Sequence, residues 1–78
     1  MHSVKVSLNS IDKVKSFVNT ISQFDQDFDL ISGRYVIDAK SIMGIFSLDL
    51  SQPIELRIQK EEAGDLNEVM DALKPYLV

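Results

Sequence analysis

The tightest constraint on this chain is the run Ile54-Glu55-Leu56-Arg57-Ile58-Gln59, in which apolar and polar side chains alternate without a break. Successive side chains of a strand point to opposite faces, so Ile54, Leu56 and Ile58 must face a core together. The chain therefore needs a sheet with a covered face. With 78 residues it has material for one domain, residues 1–78, and a chain of that size buries only roughly 60% of the surface it exposes when unfolded. No cysteine is present, so disulfides, thiolate metal ligands and a Cys nucleophile are all excluded and the fold rests on packing alone.

The remaining elements supply the partners of that strand. Ser3-Val4-Lys5-Val6-Ser7-Leu8 alternates in the same way and predicts a first strand with Val4, Val6 and Leu8 on one face. Asn9 and Ser10 are both good N-cap residues, and Ile11, Val14, Phe17, Val18, Ile21 and Phe24 then recur at helical spacing, predicting a helix from about Ser10 to Phe24. Phe28-Asp29-Leu30-Ile31 and Arg34-Tyr35-Val36-Ile37-Asp38-Ala39 read as a hairpin turning at Ser32-Gly33. Ser51-Gln52-Pro53 is a turn before the opening strand. After Glu61-Glu62, a polar turn, Gly64-Asp65 opens a second long amphipathic helix with Leu66, Val69, Met70, Leu73 and Leu77 along one stripe, and Pro75 loosens its last turn. The order is that of an α+β open-faced sandwich, a four-stranded antiparallel sheet with its helices on one face.

Charge and composition narrow the function classes. Twelve acidic against eight basic residues give a net charge of −4, and no Lys/Arg cluster follows a nucleic-acid backbone. The start Met1-His2-Ser3-Val4-Lys5 lacks the apolar core of a signal peptide, and no apolar run has bilayer-spanning length. The expectation is a soluble intracellular domain contacting neither nucleic acid nor membrane. The alternating Asp25, Asp27 and Asp29 lack the Gly turn and bidentate Glu of a calcium loop and read as a solvated strand edge.

One connection is oddly apolar. In Ala39-Lys40-Ser41-Ile42-Met43-Gly44-Ile45-Phe46-Ser47-Leu48-Asp49-Leu50, Ser41 can cap a short helix while large apolar residues follow at once. They cannot all face inward. With Leu48 and Leu50 better placed for the core, at least one or two of Ile42, Met43 and Phe46 are expected to reach the surface, making these three a partly exposed docking patch for a protein partner.

Lys40-Ser41-Ile42-Met43-Gly44-Ile45-Phe46-Ser47-Leu48 closely resembles the K-S-I-M-G-[VIL]-M-S-L segment of HPr, the histidine-containing phosphocarrier protein of the bacterial sugar phosphotransferase system, and of its regulatory paralogue Crh. Element order and length agree over nearly the whole chain. The resemblance implies the HPr fold, βαββαβα, with three helices on one side of the sheet. It implies regulatory phosphorylation of Ser41 by an HPr kinase, and a docking patch at Ile42, Met43 and Phe46 for partners such as that kinase or a transcription regulator. A phosphate on an N-cap would bring about −1.5 to −2 charges to free N–H groups and the positive end of the helix dipole.

The departure lies at the family's phosphate acceptor, a histidine in G-[IL]-H-A-R-P at the start of the first helix. Counting without gaps from Ser41 puts Ser10 at the histidine, Asp12 at the arginine and Lys13 at the proline. Asp12 would repel the phosphoryl group that the family's arginine attracts. The reading that the resemblance implies is thus a cytoplasmic, non-enzymatic HPr-like interaction protein without cofactor or metal that carries no phosphohistidine, as a monomer or weak homodimer. Two alternatives stand beside it: a working phosphocarrier that uses His2, the only histidine, or Ser10; and a degenerate module whose patch meets an unrelated partner or a second copy. Ser10-Ile11-Asp12-Lys13 also spells the S-x-x-K of penicillin-binding enzymes, for which the capping role of Ser10 is the simpler account.

Overall fold

The computed structural model describes residues 2–59 and 66–78, so the predicted turn at Glu61-Glu62 and the helix opening at Gly64-Asp65 lie outside the described residues. In chain order the elements are β1 (His2–Val6), α1 (Ile11–Ile21), β2 (Phe28–Ser32), β3 (Tyr35–Asp38), α2 (Ile42–Phe46), β4 (Ile54–Ile58) and α3 (Leu66–Leu73), followed by a single 3₁₀ turn (Lys74–Tyr76). The four strands form one antiparallel sheet in the order β1-β4-β2-β3, with three helices, an open-faced sandwich. No described helix is long and apolar enough to cross a membrane.

Register explains which face is covered. Val4, Leu56, Leu30 and Ile37 lie abreast across the four strands, and His2, Ile58 and Phe28 form a second row. From these rows Phe28, Leu30, Leu56 and Ile58 are buried, and Val14, Phe17 and Ile21 of α1, Ile45 of α2 and Val69 and Leu73 of α3 close over them. The opposite face sets Lys5 beside Glu55 and Arg57 beside Asp29, so charge alternates across strands where water has access. At one sheet edge the C-terminus closes along β1: the Ser7 amide donates to the Tyr76 carbonyl at 2.8 Å and the Val78 amide to that of Lys5 at 3.2 Å.

Several boundaries differ from the sequence expectation: the last helix stops at Leu73 instead of carrying Leu77 on its stripe, because the chain tightens into the 3₁₀ turn around Pro75. β1 ends at Val6 rather than Leu8, although Leu8 is still fully buried. α1 ends at Ile21, because Ser22 takes the C-cap and the Phe24 amide donates to the Ile21 carbonyl in a turn. Phe24 packs against the core from outside the helix. The hairpin turns at Gly33-Arg34, one residue later than Ser32-Gly33, since Ser32 pairs with Tyr35. Gly33 has φ +60°, and it is the one residue with positive φ among those described; a left-handed first turn residue followed by an ordinary second is the geometry of a type II′ hairpin.

Candidate functional site at the N-termini of the first two helices

Ser10 begins α1 with extended backbone (φ −147°), and its hydroxyl accepts from the Lys13 amide at 3.1 Å. The S-x-x-K spacing is therefore an N-cap, with the serine bonded to the lysine's backbone. Ile11 is 62% exposed and Asp12 occupies the first turn, where its carboxylate complements the helix dipole. His2 stands at the other end of β1; the four residue steps to Val6 alone span about 13 Å.

Ser41 starts α2 in the same manner. Its hydroxyl accepts from the Gly44 amide at 3.3 Å, its carbonyl accepts from the Ile45 amide at 3.0 Å, and its own amide donates to the Asp38 carbonyl at 3.0 Å. Lys40 anchors this entry. Its ammonium donates to the Phe24 carbonyl at 2.7 Å and lies 5.5 Å from the centre of the Phe28 ring, while its amide donates to the Asp38 carboxylate at 3.0 Å. Gly44 is packed close: a Cβ there would meet Ser41 Oγ at 3.2 Å and Ile37 Cδ1 at 3.4 Å.

The apolar residues of α2 divide by helical geometry. Ile45 is fully buried and is the helix's main core residue, so the core position expected of Leu48 and Leu50 is shared: both are half-buried, as is Ile42. Met43 (77% exposed) and Phe46 (40% exposed) are three residues apart and form an outward stripe. Ser47 closes the helix, its hydroxyl donating to the Gly44 carbonyl at 2.6 Å. Just beyond, Asp49 accepts from both the hydroxyl (2.6 Å) and the amide (3.1 Å) of Ser51, and these bonds hold its carboxyl below its ordinary pKa, the hydroxyl contributing most.

Ser10 and Ser41 are not brought together by hydrogen bonding. Each caps its own helix, and Lys40 ties the start of α2 to the chain just past the far end of α1, whose 11 residues span about 16 Å. Asp27, Asp29 and Asp38 instead line a shallow hollow with Phe28 and Gln59 on the sheet side, about 270 Å³. Among the described residues no group of His, Cys, Asp or Glu is arranged to hold a metal ion.

Comparison with known proteins places these features in context. The PTS-HPr family model, described as the PTS HPr component phosphorylation site, matches residues 13–77, a span that begins just after Asp12. Among solved structures, the chain is similar to HPr-C-His from Thermoanaerobacter tengcongensis, with a TM-score of 0.75 and 29% identity over 96% of this chain and 89% of that one. It is also similar to a histidine-containing phosphocarrier protein described for mycoplasma, with a TM-score of 0.69 and 15% identity over 95% of this chain and 86% of that one, a likeness of fold alone. A comparison with curated proteins finds no match.

Proposed function

The chain belongs to the PTS-HPr family, and from that premise we propose that it is a non-enzymatic interaction protein of the phosphoenolpyruvate-dependent sugar phosphotransferase system that carries no phosphohistidine. The observation behind this reading is the N-terminus of α1. Where the resemblance expects the acceptor histidine and its arginine stand Ser10, already engaged as a cap, and Asp12, whose charge opposes a phosphoryl group. His2 lies a strand's length away.

The working surface on this reading is the start of α2. Exposed Met43 and Phe46, with half-buried Ile42, offer an apolar stripe to a protein partner, an HPr kinase or a transcription regulator by family precedent, in a bacterial cytoplasm. Ser41 is exposed at its edge, and phosphate there would change the charge of the surface without disturbing the core. The test is to incubate the protein with phosphoenolpyruvate and enzyme I, and separately with ATP and HPr kinase, and weigh the products. The expected result is no phosphate from enzyme I and an acid-stable phosphate from the kinase that Ser41→Ala abolishes. An acid-labile phosphate acquired from enzyme I would overturn the proposal.

A further inference from the structure

The two edges of the sheet are treated differently. Along β1 the outer edge is closed by Tyr76, Leu77 and Val78, whereas β3, at the other end of the strand order, pairs among the described residues only with β2. An open edge strand presents unpaired N–H and C=O groups and is ordinarily blunted by charge, proline or a bulge. β3 instead carries Tyr35 and Val36, 70% and 59% exposed, with Arg34 before them and Asp38 at its end.

The hairpin phase shows which backbone groups face out. Ser32 and Tyr35 flank a two-residue turn and so form a hydrogen-bonded pair, as do Leu30 and Ile37; Ile31–Val36 and Asp29–Asp38 are the alternating non-bonded pairs. The Ala39 amide, donating to the Phe28 carbonyl at 2.9 Å, keeps the same phase. The amide and carbonyl of Val36 and the amide of Asp38 therefore point away from β2.

We propose that β3 is a self-pairing edge: two copies of the chain join antiparallel about a two-fold axis at Val36, forming one continuous eight-stranded sheet. Val36 then exchanges both of its outward hydrogen bonds with its counterpart. In that register Arg34 of each copy lies opposite Asp38 of the other on the open face, and Tyr35 lies opposite Ile37 on the helix-bearing face. Both are favourable cross-strand pairs, one of opposite charge and one aromatic with β-branched. The Asp38 carboxylate keeps the Lys40 amide on Oδ1 and offers Oδ2 to the arginine. The charge order from the turn through the strand, positive at Arg34, apolar at Val36 and negative at Asp38, is what makes the edge complementary to itself in this one register. A single short strand pair buries less than roughly 1,000 Å², so the dimer is a weak one, with a Kd on the order of 10⁻⁴ to 10⁻³ M.

Sedimentation velocity and amide NMR across a concentration series test this. Dimer formation with shifts centred on the Val36 and Asp38 amides is the expected result. Arg34→Asp alone sets two carboxylates against each other across the two-fold axis, and Asp38→Arg alone sets two guanidinium groups there, so each variant self-associates at least tenfold more weakly. In an equimolar mixture, each mixed dimer faces two carboxylates of one variant with two guanidinium groups of the other, and wild-type association returns. If Asp38→Arg does not fold, the shift map of the wild type and the weakening by Arg34→Asp, a turn substitution, decide the matter. A chain monomeric at millimolar concentration overturns the proposal. So does a dimer whose shifts gather on Met43 and Phe46 while Val36 stays fixed.

Discussion

Ser41 Oγ accepts the amide of Gly44 at 3.3 Å, and a Cβ added to Gly44 would stand 3.2 Å from that same oxygen. Cap and glycine are thus coupled. Ser41→Ala removes the cap and is expected to cost about 1 kcal/mol. Gly44→Ala gains about 1 kcal/mol of helix propensity but displaces the capping hydroxyl, so its net effect in the wild type is within about 0.5 kcal/mol of zero. In the Ser41→Ala background the same substitution is stabilising by most of its propensity gain. Urea unfolding of the two single variants and the double variant measures this coupling directly.

Tyr76 joins the C-terminal turn to α1 by two contacts: its ring meets Phe17 edge-on with centroids 5.5 Å apart, and its hydroxyl is hydrogen-bonded to Ser16. Tyr76→Phe keeps the first and loses the second, at about 1 kcal/mol. Tyr76→Ala loses both and opens a cavity, at about 3–5 kcal/mol. Equilibrium denaturation of the two variants separates the contributions.

Lys40→Met keeps the aliphatic stem but removes the bond to the Phe24 carbonyl and the cation above Phe28. A loss of about 1–2 kcal/mol is expected. Hydrogen exchange should report it as faster opening of the Ala39 and Ser41 amides than of those in β4. Uniform acceleration throughout the chain would show that Lys40 does not hold this junction locally.

The Asp49 carboxyl titrates below its ordinary 3.8 because Ser51 donates to its charged form twice. A carboxyl lowered on folding adds stability that is fully present above the ordinary value and is lost as pH falls through the lowered one. Ser51→Ala removes the hydroxyl but leaves the amide. The carboxyl carbon of Asp49, followed by NMR from pH 6 to about pH 2, should therefore titrate higher in the variant while staying below its ordinary value.

Phe46→Glu changes a residue that is 40% exposed at the end of α2. Its effect on stability is expected to stay within about 1 kcal/mol. Binding to an HPr kinase, followed by calorimetry, should fall at least tenfold if Phe46 anchors the partner.

Short-range patterns were legible and long-range phase was not. The alternation of Ile54, Leu56 and Ile58 located β4, and Ser10 and Ser41 announced two helix starts, because strand facing and capping are settled within a few residues. The end of α1 was hidden because Phe24 continues the spacing of Phe17 and Ile21 yet packs from a turn. Placing the hairpin turn one residue early shifts every β2–β3 partner by two positions, setting Ile31 against Arg34 instead of Val36, but such a shift preserves facing, so the core assignment survived. Helical spacing points to Leu77 rather than Tyr76, but the 3₁₀ turn at Pro75 advances about 120° per residue, which returns Tyr76 to the face of Leu73 and leaves Leu77 half-buried. The Met43–Phe46 stripe was visible for a simple reason: a helix of five residues cannot turn four large apolar groups to one side.

The central place of β4 in the sheet governs when this chain can fold as it is made. β1 and β2 both wait for it, and β1 pairs with residues about 50 positions further on. Until Ile54–Ile58 has left the ribosome only the β2–β3 hairpin has its partner, and an isolated hairpin is marginal in water. Non-local pairing of this kind slows folding. A nascent chain halted before Ile54 leaves Val6 without its strand partner and Phe28 and Leu30 paired on the β3 side alone, so the buried rows of the sheet close only after β4 has emerged.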